Sequence, residues 1–595
     1  MNKPVVVQKE AIAALEWKKI EPEPTLLTNN DPHDDDPNSP AGCGLMKPEP
    51  EVLPTGDANA DHCVDGQDAE QPPNDDPLPK DASFFDRLMA SISPFHTPQQ
   101  VPYATVRHGD RRDNCTLKSK KFKAFVFRLH YKTYGRSLKS RDFRELLEHL
   151  ESVALFDSPE YAVHIRVAEH DGNIYVDLAN PKGQVVKVTS EGWSIITSAD
   201  CPVKFIRSPR MRPMAVPSST QCSFDPLWDL LNITDEHHKI LIIAWLIGAM
   251  QPNGPYPFLI LHGEQGSGKS CICRLLRDLI DPSFPSLFST PSSERDLAIA
   301  ALKSRLLAFD NISKITDWLS DAFCRLSTGG GFATRALFSD DDEAVFDFTR
   351  PVIANGISPF FTRHDVMDRS IFITSSSIPK NERKPESEMR AQWEAARPII
   401  LGAIFNAIQC ALKLRDTVNL PSLPRMADFS QWVSAAEPAL PWNTGDFMKA
   451  YNKNRQEIID NALESDLVAS EIKRLVDNGG EWSGTATELL AALNQSALEN
   501  KKRDKSWPKL PNVLSRQLRR CATFLREKGI DIQISKSGER NISILILPDD
   551  DVDIPAQATV DTFEGDDAEV NERLQMPVKA KAAHLQTAKS VGTAA

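Results

Sequence analysis

One stretch of twelve residues constrains this chain more than any other: Leu259-Ile260-Leu261-His262-Gly263-Glu264-Gln265-Gly266-Ser267-Gly268-Lys269-Ser270. An apolar run meets a glycine-rich turn, and Lys-Ser leads into a segment where Ile272, Cys273, Leu275 and Leu276 form a helical apolar face. Gly263 to Ser270 spell G-x-x-x-x-G-K-[ST], a phosphate-binding P-loop. The chemistry asks for these residue types. Glycines let the backbone wrap a triphosphate and turn its N–H groups inward. A helix starting near Lys269 adds the positive end of its dipole. Lys269 is expected to reach the outer phosphates, and the Ser270 hydroxyl to ligate Mg²⁺. ATP and Mg²⁺ are therefore the expected cofactors, held by Gly263, Glu264, Gln265, Gly266, Ser267, Gly268, Lys269 and Ser270. The bland alternative is a chance glycine turn. The strand and helix that the motif requires on either side argue against it.

At 595 residues the chain is long enough for about three to five domains. The net charge of −13 is unevenly spread. Residues 1–86 hold 19 acidic and 6 basic residues, and 549–572 hold 10 acidic and none basic. The body between, 87–547, has 59 basic and 53 acidic residues, which keeps nucleic acid open as a partner. The ten cysteines include no CxxC pair, and Cys43, His62 and Cys63 lack metal-site spacing. This usage suits a reduced, cytoplasmic protein. No signal peptide is legible at Met1. The longest apolar run, Ile240 to Met250, is too short to cross a bilayer and reads as a core helix, so no membrane partner is expected.

Taken in order, residues 1–100 are rich in Pro, Asp and Glu and read as a disordered acidic tail. Ile12 to Ile20 form a candidate docking helix within it. From Val101 the composition changes: residues 107–144 hold 13 Lys/Arg and 3 Asp/Glu, with Phe122, Phe125, Phe127, Tyr131 and Tyr134 interleaved. The rings at helical spacing read as core; the charges read either as a solvated face or as a nucleic-acid surface. Alternation at Val163, Ile165 and Val167, the turn His170-Asp171-Gly172-Asn173, and Ile174, Val176 and Leu178 predict a hairpin. Residues 101–215 thus read as a basic α+β accessory domain. It has no paired-Asp primase signature, so no primase activity is expected. A proline-marked linker, Pro209 to Pro217, follows. Thr234 is a candidate cap for a helix over about 235–250.

Past the P-loop, Arg305-Leu306-Leu307-Ala308-Phe309-Asp310 is an apolar strand ending in a carboxylate, 47 residues after Gly263. That is the Walker B pattern, in which Asp310 orients Mg²⁺ through water. The next residue is Asn311, not a second carboxylate. Leu326 to Phe338, an acidic turn Ser339 to Glu343, and Val345 to Phe348 predict a hairpin. Arg350 to Gly356 is a strand ending in Asn355, which is placed to polarise the attacking water and sense the γ-phosphate. Arg369 precedes a strand over 370–373.

This order of P-loop, strand-Asp, Thr-Gly-Gly-Gly…Thr-Arg hairpin (Thr328 to Arg335), strand-Asn and Asp-Arg-strand resembles the superfamily 3 helicases, of AAA+ type. It is most similar to the helicase part of primase-helicases of large DNA viruses, phages and plasmids. The resemblance covers about 227–375. It implies an oligomeric ring, usually a hexamer, with ATP between subunits and DNA gripped by the hairpin. It implies Asp310 as Walker B, Asn355 as sensor 1, Arg369 as an arginine finger and Arg335 as the basic hairpin residue. Lys269, Asp310, Asn355 and Arg369 are then the candidate catalytic set, with Ser270 and Asp310 serving Mg²⁺. Asn311 and the acidic tip Asp340-Asp341-Asp342-Glu343 depart from the pattern.

Residues 380–478 read as a helical region. In 481–547, a capping box at Thr485-Ala486-Thr487-Glu488, a helix over 515–528 and two strands have the winged-helix order. Residues 501–540 carry 12 basic and 4 acidic residues. Arg516, Arg519 and Arg520 are candidate DNA contacts, against a protein-docking winged helix as the alternative. Residues 548–595 read as a second disordered tail; the acidic tails are candidate docking segments for replication partners. The expected fold is α/β: an AAA+-like P-loop ATPase core over 225–375, an N-terminal α+β domain, a C-terminal winged helix and disordered acidic tails. The expected function is an ATP-dependent DNA helicase or translocase ring in replication of a mobile element or phage. The second reading is an ATP-binding scaffold or initiator that loads partners without unwinding.

Overall fold

A computed structural model describes residues 82–330, 332–335, 343–346, 349–356, 363–535 and 541–548. Its first element, helix Phe84–Ser91, corrects the expectation that 1–100 is disordered throughout. Ser83 and Asp86 form a reciprocal capping box. Phe84, Phe85, Leu88, Met89 and Ile92 recur at helical spacing and pack with Val106, Phe122, Val126 and Leu150. Composition averaged over a hundred residues hides so short a pattern. Strands Ile92–His96, Pro102–His108 and Arg111–Thr116 form an antiparallel sheet in that order. Helices Lys120–Tyr134 and Ser140–Phe156 complete this layer.

The expected 101–215 domain divides among three cores, the smallest formed by Ala168, Tyr175, Val185, Val203 and Phe205. The layer just described has its own. The antiparallel meander Val167–His170, Asn173–Asp177, Gln184–Val188, Trp193–Thr197 sends Val167, Ile174, Val176, Val186 and Val188 into the main core instead. Its first turn pairs His170 with Asn173, with Asp171 and Gly172 at positive φ, as a two-residue hairpin loop requires. Arg207 ties the two sheets together, 3.1 Å from Asp113 and 2.7 Å from Asp177. Buried Arg166 meets Asp281 at 3.1 Å and ties the meander to the centre.

The centre is a parallel sheet in the order Leu307–Phe309, Val352–Gly356, Phe258–Gly263, Ser370–Ser375. Helix Glu236–Ala249 is capped by Asp235 rather than Thr234, and every residue from Leu241 to Ala249 is buried. A helix apolar all round belongs inside. Among the described residues one helix, Glu386–Leu414, is long and apolar enough to cross a membrane, but 67% of its apolar window is buried within the fold. The hairpin pairs Phe332–Arg335 antiparallel with Glu343–Phe346, Arg335 opposite Glu343. Glu343 is therefore a strand residue; Asp340 to Asp342 lie outside the described residues.

At the C-terminal end, helices Leu467–Gly479, Ala486–Ser496, Glu499–Arg503 and Pro511–Arg526 accompany an antiparallel sheet in the order Trp482–Thr485, Asn541–Ile546, Ile530–Ile534. The Thr485–Glu488 capping box is present. The expected boundary near 481 shifts, because Leu467–Gly479 packs Val468, Ala469, Ile472 and Val476 against Leu489, Leu514 and Leu518. The turn Lys536 to Glu539 lies outside the described residues. The whole is a mixed α/β arrangement of helices and several sheets, and its eight described cysteines are all free.

Candidate active site

The glycine loop follows the strand Phe258–Gly263, which lies between two strands that come later in the chain. A crevice at the carboxyl ends of such strands is where open α/β sheets bind ligands. Gly263 has φ 147°, and a Cβ there would lie 2.3 Å from the Ser375 carbonyl oxygen. Only glycine lets the two strands close. Gly268 takes φ 83° and hands the chain into helix Lys269–Ile280 without a side-chain cap, leaving the helix's first N–H groups to the loop.

Lys269 is 8% exposed. Its ammonium donates to the carbonyls of Gly263 at 2.8 Å and Glu264 at 2.7 Å, and to Ser267 Oγ at 3.3 Å. Burial holds its pKa below the usual lysine value. Next to it, Ser270 Oγ donates to Asp310 Oδ1 at 2.7 Å. Asn355 Nδ2 donates to the same oxygen at 2.8 Å and to Cys273 Sγ at 3.3 Å. Asn355 Oδ1 accepts from the Asn311 backbone N–H at 3.0 Å. Ser270, Cys273, Asp310, Asn311 and Asn355 thus share one hydrogen-bond network at the ends of adjacent strands, with Lys269 next to it in the chain. The hydroxyl and carboxylate are hard oxygen donors side by side, a set that suits Mg²⁺. Asn355, 2% exposed, spends its hydrogen bonds on Asp310, Cys273 and Asn311, so its place is that of a positioning group. Cys273 is buried, its thiol pushed up to about 12, and is packing as expected. Asn311, at φ 54°, is exposed beside the cluster.

The pattern reading missed the other wall. A cavity of about 900 Å³ opens beside Gly266 and Gly268, lined among others by Trp228, Asn232, Thr234, Arg383 and Met389. Asn232 Nδ2 donates to the Ser267 carbonyl at 3.5 Å and also bonds the Ser376 carbonyl. Arg383 Nη2 lies 3.3 Å from where a Gly266 Cβ would stand. These residues come from two stretches flanking the loop in space but distant in sequence. The cluster Lys380-Asn381-Glu382-Arg383-Lys384 was the one sequence signal, and it has no fixed spacing from the loop.

The remaining sequence candidates are not part of this cluster. Arg369 precedes Ser370–Ser375, which runs parallel to the loop strand with Ser370 beside Phe258 and Ser375 beside Gly263. It therefore sits at the opposite end of the sheet, about 20 Å from its own loop at about 3.3 Å per residue. It donates to the Asp365 carbonyl at 2.6 Å and lies 3.7 Å from Cys324 Sγ. Arg335 ends its hairpin strand, and its side chain is not described. Arg516, Arg519 and Arg520 are exposed along helix Pro511–Arg526, opposite buried Leu514, Leu518 and Cys521, with no ion-pair partner among the described residues. Arg526 instead pairs with Asp531 at 2.9 Å.

Residues 224–460 match the model of the actinomycete integrative conjugative element replication protein, and 468–551 match that of the C-terminal domain of the same protein. Together they span more than half of the chain, and the second begins where helix Leu467–Gly479 joins the C-terminal core. No curated protein matches. Solved structures of the NrS-1 C-terminal region are similar: an apo A form at 11% identity and TM-score 0.34, and a 305–718 fragment at 12% and 0.33. Each comparison covers 78% of this chain and 98% of the other. Likenesses this loose carry no argument about role.

Proposed function

The chain belongs to the replication-protein family of actinomycete integrative conjugative elements, and from that premise we propose that it is an ATP-driven DNA motor, a helicase or translocase acting in the cytoplasm on the element's own DNA. The observation that carries the reading is the cluster of Lys269, Ser270, Asp310 and Asn355 at the end of the central parallel strand. In this reading the core is an AAA+-like P-loop ATPase and the C-terminal module a winged helix. Lys269 exchanges its loop carbonyls for outer phosphate oxygens and places a positive charge where negative charge develops. Ser270, with Asp310 through water, would hold Mg²⁺, whose charge would offset that of the phosphate chain. Asn355 keeps the Asp310 carboxylate oriented. Arg383 stands over the loop as a second cation, and the adjoining cavity receives the nucleoside. Arg369, too far to serve its own loop, acts on a neighbour's in a homo-oligomeric ring. DNA meets Arg516, Arg519 and Arg520, with Arg335 on the hairpin.

Asn311 favours a second reading, in which the chain binds ATP and loads partners without unwinding, because it offers no carboxylate next to Asp310 to take a proton from water. Strand displacement by the purified full chain on a forked duplex separates the two. ATP-dependent displacement that disappears in Lys269→Ala supports the motor. ATP binding or turnover with no displacement on any fork leaves the loader.

A further inference from the structure

Outside the stretches that match the replication-protein family lies a surface that the ATPase does not use. Helix Lys120–Tyr134 contains five cations, Lys120, Lys121, Lys123, Arg128 and Lys132, and no acidic residue. Residues 118–144 hold ten Lys/Arg against Asp142 alone, and all ten are exposed. Four of them are used within the fold: Lys118 pairs with Glu151, Lys121 with Asp113 and Arg141 with Glu145, and Lys123 lies 5.6 Å over the Phe127 and Phe143 rings. Lys120, Arg128, Lys132, Arg136, Lys139 and Arg144 have no ion-pair partner among the described residues. The placement opposes the fold's own preference. Cations in a helix's first turn face the positive end of its dipole, yet Lys120, Lys121 and Lys123 open the first helix, and Lys139 and Arg141 open the second with no side-chain cap. An anionic partner reverses the sign of that misfit.

The same face carries an aromatic ring. Lys120, Ala124, Arg128 and Tyr131 follow one stripe of the helix, about 17 Å long at 1.5 Å per residue. Tyr131 is 61% exposed and has no ring partner among the described residues, whereas Tyr134 leans on His130 and Phe84. Exposed cations without ion-pair partners around an open aromatic ring suit a strand whose bases are unstacked. We propose that this face, centred on Lys120, Arg128, Tyr131 and Lys132, binds single-stranded DNA, with the cations on the backbone and Tyr131 stacked on a base. It is separate from the C-terminal arginines and does not depend on how the nucleotide site works.

The test is fluorescence anisotropy of a labelled oligo-dT with the full chain across a salt series. Lys120→Glu with Arg128→Glu and Lys132→Glu should weaken binding by tenfold or more and lower the log–log salt slope by about 2, at about 0.7 per lost contact on single strands. Tyr131→Ala should weaken single-strand binding about tenfold, leave the salt slope unchanged and leave blunt-duplex binding alone. The milder pair Lys132→Gln with Arg136→Gln covers the case in which charge reversal disturbs the fold. DNA-free ATP turnover should be unchanged in all of them. Wild-type affinity and slope in the charge variants would overturn the proposal, as would an equal loss on duplex in Tyr131→Ala. Equally tight, equally Lys/Arg-dependent binding to phosphatidylserine vesicles would overturn it in favour of a general anion face.

Discussion

Lys269 is a cation that its own loop satisfies. Its ammonium is buried, and loop carbonyls satisfy it in place of water. Lys269→Ala should reduce ATP turnover by about 10²-fold or more, because no other group in the loop places a charge on the outer phosphates. Steady-state phosphate release checks it, and unchanged turnover would remove the enzyme reading. Asp310→Ala should lose hydrolysis while ATP binding persists in a filter assay. Asn355 acts one step back: Asn355→Ala frees the Asp310 carboxylate and should cost about 10–100-fold in activity at limiting Mg²⁺, with partial recovery at high Mg²⁺. Failure to recover would place Asn355 on the reacting water instead. Gly263 is required by both backbone and space, with φ at 147°. Its added methyl would meet the Ser375 carbonyl, so Gly263→Ala should lower the melting temperature as well as nucleotide binding.

At the scale of elements, the C-terminal module offers two separable predictions. Helix Pro511–Arg526 buries one face and presents Arg516, Arg519 and Arg520 on the other. Arg519→Ala with Arg520→Ala should weaken duplex binding and reduce the salt slope by about 0.9 per lost phosphate contact. An unchanged slope would assign the helix to a protein partner. Beneath it, Glu471 is 1% exposed and meets Lys501 at 2.8 Å, with Arg474 alongside. Burial alone would raise its pKa. Hydrogen bonds and charge from Lys501 and Arg474 together outweigh this and bring the carboxyl below its ordinary 4.5. A depressed folded pKa means that the contribution is complete above the ordinary value and is lost as pH falls through the folded one. Thermal unfolding of the chain should therefore steepen with acid below about pH 4.5, and Glu471→Gln should flatten part of that limb. Lys501→Ala should cost about 1–3 kcal/mol at neutral pH by leaving the buried carboxylate underpaired.

For the whole molecule, the position of Arg369 is decisive. It is anchored at the far end of the sheet from its own loop, and its neighbour Asp368 is gripped by Arg425 at 2.7 Å and Arg455 at 2.9 Å. Arg455 also reaches Glu527 at 3.4 Å, so one arginine links the strand edge that carries Arg369 to the C-terminal module. If Arg369 completes a neighbour's site, Arg369→Ala should reduce turnover steeply, up to about 10³–10⁵-fold, while ATP affinity holds. Mixing Arg369→Ala with Lys269→Ala subunits should restore part of the activity, and only above the concentration at which the chain assembles. Wild-type turnover in Arg369→Ala, or no recovery on mixing, would discard the finger. A chain that stays monomeric by light scattering with ATP and DNA would discard the ring.

Short-range chemistry was legible without coordinates. Gly263 to Ser270, the strand ending in Asp310 and the strand ending in Asn355 are each a local pattern of chain stiffness, apolar run and terminal polar group. The hairpin at Asp171-Gly172 and the Thr485 capping box are likewise local, because the few residues involved satisfy their own geometry. Helix Phe84–Ser91 was equally local, but it was lost in a composition averaged over too long a window. What sequence could not supply is which separate surfaces share a core. That is settled by burial summed over distant segments: the meander joining the central core, helix Leu467–Gly479 joining the C-terminal module, and Arg383 and Trp228 walling the cavity beside the loop. Such contacts have no fixed spacing along the chain, and only the closed fold brings them together.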